Sequence, residues 1–151
     1  MTAAELSQST TPAGGLDLGA YRRGLGWPAD GDEHGVYLDL SGDHVTGLRV
    51  AAGLGAEVQW WLRLRMLAGP VLATPGSRTD WTFLVQPFPE GSRRPLPLAV
   101  EAVTTLVMLP TATTPHEVAH WATAPDPANP TLPQASSVIG AVRSVLHGNR
   151  F

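Results

Sequence analysis

The alternation of apolar and polar positions in the first half of the chain predicts two strands followed by one helix. Apolar side chains recur at about every second position in 36–40 and in 44–50, which is the period of half-buried strands. In 53–67 they recur at helical spacing instead, and the polar edge contains little besides Gln59 and Arg63. We therefore expect a hairpin followed by a largely buried helix.

The second half of the chain alternates short apolar runs with segments rich in proline and glycine. Such segments interrupt regular structure, because proline lacks a backbone donor and glycine adopts turn conformations. In the last apolar run, Val138, Val142 and Val145 have helical spacing. The predicted elements are strands at 70–74 and 81–86, a loop at 87–97, a short helix at 98–103, a buried strand at 104–109 and a helix at 135–147.

These elements predict an α+β fold class, with a small mixed β-sheet and two main helices. The chain has 151 residues, of which 43% are hydrophobic, and this is enough for one domain with its own core. Residues 1–19 are small, polar and glycine-rich, so we predict a disordered N-terminal tail there. Residues 20–151 are expected to form the single domain, with Tyr21 and Trp27 as anchors near its start.

Charge and composition exclude several classes of function. Ten basic residues, all of them arginine, stand against thirteen acidic ones, and a net charge of −3 is not typical of a nucleic-acid-binding surface. Cysteine is absent, which excludes disulfides and thiolate metal sites. The N-terminus lacks the pattern of a signal peptide, and no apolar run reaches the ~18 residues that a membrane helix needs. We therefore expect a cytoplasmic protein without a membrane partner.

One short motif, His116-Glu117-x-x-His120, matches the pattern of zinc peptidases. On a helix, two histidines four residues apart bind one zinc ion, and the glutamate between them acts as a base on the metal-bound water. Asp126, ten residues after His116, occupies the place of the third ligand in the long form of the motif. A zinc cofactor held by these three side chains is therefore one interpretation.

The residues around this motif favour a strand. Pro115 directly precedes it and Pro125 follows closely, which limits a helix here to about two turns. The methionine turn and the later glutamate found in such peptidases are also missing from the sequence. A strand over 116–123 would place both histidines on one face and Trp121 on the other.

Four stretches of the chain follow one another in an order that is typical of a known family. They are an opening helix with Gly-Trp-Pro, a strand–helix–strand unit, a glycine-rich turn with its strand, and a late hairpin whose returning strand ends at tryptophan. The stretches are YRRGLGWPAD at 21–30, residues 44–75, GSRTDWTFLV at 76–85 and residues 106–133. In these features the chain resembles the primase-polymerase-like domain of actinobacterial proteins, described as bifunctional DNA primase/polymerase. The resemblance implies a reduced form of that fold.

The resemblance also implies where a catalytic site would lie. The family transfers nucleotides in line, with divalent metals, Mg²⁺ or Mn²⁺, held by two aspartates on one strand. Here the two acidic places fall on Arg49 and Ala51, and the histidine of the family's glycine-rich turn falls near Asp80. A shifted register would use Asp39 and Asp43 instead.

The implied function is that of a catalytically degenerate domain, a non-enzymatic binding or regulatory module without a cofactor. The reason is that an arginine in place of a carboxylate repels a metal ion at close range. The first alternative is a nucleotidyl transferase with weak activity that uses Mg²⁺ or Mn²⁺ at Asp39, Asp43 and Asp80. The second alternative is a small zinc peptidase.

Four residues are candidates for contact with a partner or a phosphate. Arg78, Arg93 and Arg94 lie in predicted loops, where solvated surface charge is the simpler interpretation. Trp60 lies in the helix at 53–67, which is apolar on more than one face. Unless the monomer buries both faces, an apolar strip beside Trp60 predicts a protein partner or a homodimer before nucleic acid. The acidic turn at 30–34 lacks the spacing of a calcium loop.

Overall fold

The computed structural model describes residues 16–89 and 95–148. Within these ranges the chain forms eight strands, two helices and one π-helical turn. In chain order they are the π-helical turn (Ala20–Gly24), β1 (Ala29–Asp32), β2 (Gly35–Asp39), β3 (Thr46–Ala51), α1 (Ala52–Leu64), β4 (Val71–Thr74), β5 (Asp80–Val85), β6 (Glu101–Val103), β7 (Leu106–Leu109), β8 (His120–Thr123) and α2 (Ala135–Gly148).

The strands form two sheets that share a hydrophobic core. One sheet has the order β1-β2-β7, and the other has the order β6-β3-β5-β4-β8. Neighbouring strands in both sheets of the described chain are antiparallel. Helices α1 and α2 pack against each other, and both cover the face of the five-stranded sheet that is turned away from the three-stranded sheet. The domain therefore has three layers: two helices, a five-stranded sheet and a three-stranded sheet.

Side chains of the five-stranded sheet alternate between two hydrophobic cores. In β4, Val71 faces the helices and Leu72 faces the three-stranded sheet, and Phe83 and Leu84 of β5 divide in the same way. Both faces of these strands are buried, which explains their continuous apolar runs. The α+β fold class with two main helices is confirmed, but two antiparallel sheets replace the single mixed sheet that the sequence predicted.

The prediction of a helix at 98–103 is wrong, because these residues form a turn followed by the edge strand β6. Glu101 pairs with Arg49 and Val103 with Gly47, both on β3. Val103 is buried, whereas Glu101 points to solvent. A helix of six residues is unstable by itself, and pairing along β3 satisfies the backbone groups of this segment on one side.

Three aromatic side chains hold the N-terminal segment to the sheets. Tyr21, Trp27 and Trp121 are buried, with ring centroids 5.8, 6.0 and 6.3 Å apart. The Tyr21 hydroxyl donates to the carbonyl oxygen of Pro110 and accepts a hydrogen bond of 3.0 Å from the indole N–H of Trp121. Burial raises the pKa of Tyr21 to about 12. The anchoring roles predicted for Tyr21 and Trp27 are confirmed.

The ordered domain begins before the predicted end of the N-terminal tail. Leu16 and Leu18 are partly buried and pack against the core between the two sheets. Asp17 accepts hydrogen bonds from the backbone N–H groups of Ala20 and Tyr21. Residues 16–18 therefore pack with the domain, while residues 1–15 of the predicted tail lie outside the described residues.

Candidate functional site

A depression of about 250 Å³ lies where β3 ends and α1 begins. The chain passes from strand to helix between Ala51 and Ala52, and the N–H of Ala52 donates to the carbonyl oxygen of Thr79 at 3.0 Å. This bond ties the start of α1 to the loop before β5. The depression is lined by Arg49, Ala51, Leu54, Arg78, Asp80 and Glu101, together with Val50 and residues 98–100, and we call it the β3 depression.

The charged side chains of the β3 depression form two ion pairs. Arg49 on β3 pairs with Glu101 on the neighbouring strand β6. Arg78 pairs with Asp80 at 3.2 Å, and Asp80 lies opposite Ala51 across the β3–β5 pair. Each guanidinium group therefore has a carboxylate partner, and the four formal charges cancel.

The depression unites residues that the sequence analysis named separately. The sequence predicts Arg49 and Ala51 at the acidic positions of the resembled family, and Asp80 near the position of its histidine. All three line this depression. Arg78, a candidate for phosphate contact, lines the same space. Sequence reasoning missed Glu101 because it assigned this residue to a helix. The signal that could have identified it is the opposite charge of Arg49, since opposite charges favour cross-strand pairing.

The alternative metal ligands Asp39 and Asp43 do not line this depression. Asp39 ends β2 in the three-stranded sheet, and its carboxylate accepts hydrogen bonds from the hydroxyl and the backbone N–H of Ser41. These bonds hold the pKa of the Asp39 carboxyl below its usual value. In residues 16–89 and 95–148, no three His, Cys, Asp or Glu side chains form a group that could hold a metal ion.

The His116-Glu117-x-x-His120 segment forms a turn and the start of a short strand. The carbonyl oxygen of Pro115 accepts hydrogen bonds from the N–H groups of Val118 and Ala119, and β8 begins only at His120. The strand predicted over 116–123 is therefore wrong for 116–119 and confirmed for 120–123. The helix that the zinc interpretation requires is not formed either. Proline at residue 115 favours this outcome, because it starts a turn and cannot donate to a ladder.

The rings of His116 and His120 stack on each other. Their centroids are 3.6 Å apart with an interplanar angle of 11°, and Nδ1 of His120 lies 3.0 Å from the carbonyl oxygen of His116. Imidazole lone pairs lie in the ring plane, so two nearly parallel rings cannot both point at one ion 2.0–2.1 Å away. The Asp126 carboxylate accepts a hydrogen bond from the N–H of Ala128 at 2.9 Å, within its own turn. This arrangement does not match a three-ligand zinc site.

The outer surface of α1 contains the largest exposed apolar side chains of the helical layer. Trp60 and Leu64 are each 63% exposed, and Met66, which follows the helix, is 93% exposed. Trp61 turns inward and packs against the helix-side core, with the guanidinium of Arg65 3.5 Å from its ring centroid. We use the name α1 outer face for the exposed residues Gly53, Ala56, Glu57, Trp60, Leu64 and Arg65.

Two further groups of predicted site residues have simpler placements. The acidic turn at 30–34 is the β1–β2 turn, where the Asp32 carboxylate accepts the N–H groups of His34 and Gly35, and Asp30 pairs with Arg22 at 2.9 Å. These carboxylates thus stabilise the hairpin. Arg93 and Arg94 lie outside the described residues.

Comparisons with protein-family profiles, with curated proteins and with solved structures give no match. None of the helices in the described part of the chain combines the length and the apolar composition that a membrane crossing requires.

Proposed function

We propose that this chain is a catalytically degenerate primase-polymerase-like domain that acts as a non-enzymatic binding or regulatory module. The observation that supports it is the Arg49–Glu101 ion pair in the β3 depression. In the resembled family, the strand position of Arg49 belongs to a metal-binding carboxylate. The cytoplasmic location expected from the sequence is part of this proposal.

The electrostatic reason is the positive charge at the place where a metal would bind. Two unit charges 4 Å apart repel by about 4 kcal/mol at a protein surface with an effective dielectric constant near 20, and a divalent ion doubles this. Glu101 offsets part of that repulsion, but it is itself held by Arg49. The second carboxylate, Asp80, is likewise paired with Arg78. No unpaired carboxylate is thus left among the residues that line the depression.

The test is nucleotide incorporation together with metal binding. We expect no primer extension or primer synthesis by the wild-type chain with Mg²⁺ or Mn²⁺, and no stoichiometric Mn²⁺ binding by calorimetry. Arg49→Asp removes the cation and adds a carboxylate between Asp80 and Glu101, so we expect this variant to gain Mn²⁺ binding. Arg49→Asn is the matched control, because it removes the cation without adding a ligand.

One observation favours the nucleotidyl transferase as the second candidate function. Asp80 and Glu101 both line the β3 depression, on the two strands that flank β3. Primer extension by the wild-type chain that is lost in Asp80→Asn would replace the degenerate module by this function. Loss of extension in Asp39→Asn would show instead that the shifted register is correct.

The module is proposed to bind protein before nucleic acid. Its net charge is negative, and Arg22, Arg49 and Arg78 are paired with carboxylates rather than gathered on one basic face. Trp60 on the α1 outer face is the partner-binding candidate that the exposed surface supports. A low-salt titration with single-stranded and duplex DNA tests this preference, and micromolar binding with a steep salt dependence would contradict it.

A further inference from the structure

We propose that the partner of the α1 outer face is a second copy of this chain, with the two α1 helices antiparallel about a two-fold axis. The inference rests on the proposed protein-binding role and deepens it by naming the partner. It does not depend on the β3 depression, which lies at the other end of α1 from Leu64 and Met66.

The α1 outer face is more apolar than a solvated helix surface needs to be. Trp60 and Leu64 lie four residues apart, so their side chains are neighbours on one face, and most of each is uncovered by the described chain. They border a hollow of about 530 Å³ between α1 and α2, which Trp61 and Val145 also line. Buried aromatic side chains beside such hollows are the usual anchors of protein interfaces.

Side-chain size changes along the face, so that its apolar surface is concentrated in one half. Its first half has the small residues Gly53 and Ala56, and its second half has the large residues Trp60 and Leu64. The space outside Gly53 is open, since a Cβ added there would meet nothing within 4 Å. The apolar anchors for a partner therefore lie in the second half of the helix, at Trp60 and Leu64.

The sign of the charge also changes along α1, from the acidic Glu57 in its first half to the basic Arg65 at its end. Glu57, Trp61 and Arg65 follow at intervals of four residues and therefore share one flank of α1. Within the described chain neither Glu57 nor Arg65 forms an ion pair, although the guanidinium of Arg65 is held in place over Trp61 and donates to its carbonyl oxygen at 3.3 Å. The flank thus presents one free carboxylate and one positioned cation.

A two-fold axis brings these two charges together. Rotation about an axis perpendicular to both helices keeps equivalent flanks on the same side and reverses the chain direction. With the axis level with Trp61, Glu57 of each copy faces Arg65 of the other, and the contact occurs twice. The dipoles of two antiparallel helices point in opposite directions, and this also favours the antiparallel arrangement. In this register Trp60 and Leu64 of both copies lie close to the axis and pack against one another. The charge pairing therefore selects the antiparallel orientation, and this commits the face to a second copy.

The experiment measures the mass of the purified full chain by light scattering and sedimentation over a concentration series. We expect a dimer of the 16.0 kDa chain. Leu64→Glu is expected to raise the dissociation constant by about 100-fold, because it places a charge in the centre of the interface. Leu106→Glu is the matched control: Leu106 is 64% exposed on β7, in the layer farthest from α1, and its replacement should leave the dimer intact.

Charge reversal tests the antiparallel register. Glu57→Arg and Arg65→Glu should each raise the dissociation constant by about tenfold, since each places two like-charge contacts in the interface. The double variant Glu57→Arg/Arg65→Glu should restore wild-type dimerisation. All these positions are exposed, and circular dichroism melting checks that each variant is folded.

Three results would overturn the inference. They are a wild-type chain that is monomeric at every concentration, a dimer that Leu64→Glu leaves unchanged, and a double reversal that is as weak as the single ones. A monomer whose α1 outer face is covered by residues outside the described ranges gives the first result. Primer extension by the same preparation would contradict the proposed function without affecting the dimer, so the two failures are distinguishable.

Discussion

The β3 depression and the α1 outer face both contain acidic and basic side chains, but only those of the depression form ion pairs among the described residues. In the depression, Arg49 is paired with Glu101 and Arg78 with Asp80. On the α1 outer face, Glu57 has no ion pair in the described residues and lies beside the exposed ring of Trp60. A ligand that binds in the depression must compete with the existing ion pairs, whereas a partner that binds the α1 outer face meets a carboxylate without an ion pair in the described residues.

This difference separates the region that the sequence resemblance points to from the region with unpaired groups. The residues that resemble a catalytic site lie in the region whose charges are already neutralised. The residues with unmet interactions lie on a helix surface that the family resemblance does not identify as a site. A search for function that follows the resemblance alone would therefore examine the less reactive of the two regions.

The largest expected effect separates the two sides of α1. Leu62 is fully buried against the five-stranded sheet, and Leu64, two residues later, is mostly exposed. Leu62→Ala should lower the free energy of unfolding by about 2–5 kcal/mol, because it removes buried methyl groups and leaves a cavity. Leu64→Ala should change it by no more than about 0.5 kcal/mol in the dissociated monomer.

Urea denaturation below the dissociation constant of the dimer makes this measurement. A large loss in Leu64→Ala under those conditions would show that Leu64 is covered within one chain. The contrast between the β3 depression and the α1 outer face would then disappear, because both surfaces would be satisfied internally.

The next prediction concerns the buried hydroxyl of Tyr21 and the stability of the fold at alkaline pH. Burial raises the pKa of Tyr21 to about 12 from its ordinary value of 10, so the folded chain favours the protonated hydroxyl. Because the folded pKa is the higher one, this stability is fully present below pH 10 and is lost as the pH rises from about 10 to 12. Each pH unit in that window corresponds to about 1.4 kcal/mol, giving a loss of about 2–3 kcal/mol.

The measurement is the unfolding free energy at a series of alkaline pH values, with tyrosine ionisation followed by absorbance. Tyr21→Phe is the control, since it should be less stable at neutral pH but lack this part of the alkaline loss. The neutral-pH cost arises because the indole N–H of Trp121 and the carbonyl oxygen of Pro110 lose their partner. An identical alkaline loss in Tyr21→Phe would assign the effect to another group.

Local pattern predicted most elements, and long-range pairing decided those it missed. The spacing of apolar residues identified both helices, and it placed β2 to β5 within one or two residues at most ends. It missed β1, and the expected hairpin is wrong because β2 and β3 lie in different sheets. The segment 98–103 was missed because its strand character comes from pairing with β3, about 50 residues earlier in the chain. The division of the strands into two sheets was missed for the same reason. No local window contains the information that β7 pairs with β2.

The candidate sites divide in the same way. Arg49, Ala51 and Asp80 could be named from the sequence because the resemblance aligns them along the chain, but Glu101 could not, since only β6 brings it to Arg49. The exposed strip beside Trp60 was predicted from a helix with more apolar residues than one face can hold. Its free charges, Glu57 and Arg65, could not be recognised before the partners of the other charged residues were known.

The smallest expected effect is that of breaking the ion pair in the β3 depression. Arg49→Met keeps the aliphatic stem and removes the charge, and Glu101→Gln removes the partner while keeping its shape. Side chains that are 39% and 66% exposed lie largely in water, so the pair should contribute only about 0.2–1 kcal/mol to the free energy of unfolding. High salt should reduce even this difference, because exposed charges are screened.

Urea denaturation of both variants and the double variant, in low and high salt, isolates the coupling between the two groups. A coupling of several kcal/mol that salt leaves unchanged would mean that the depression excludes water and holds its charges as a desolvated site does. Under that outcome the depression would be the strained region of the molecule, and the contrast with the α1 outer face would reverse.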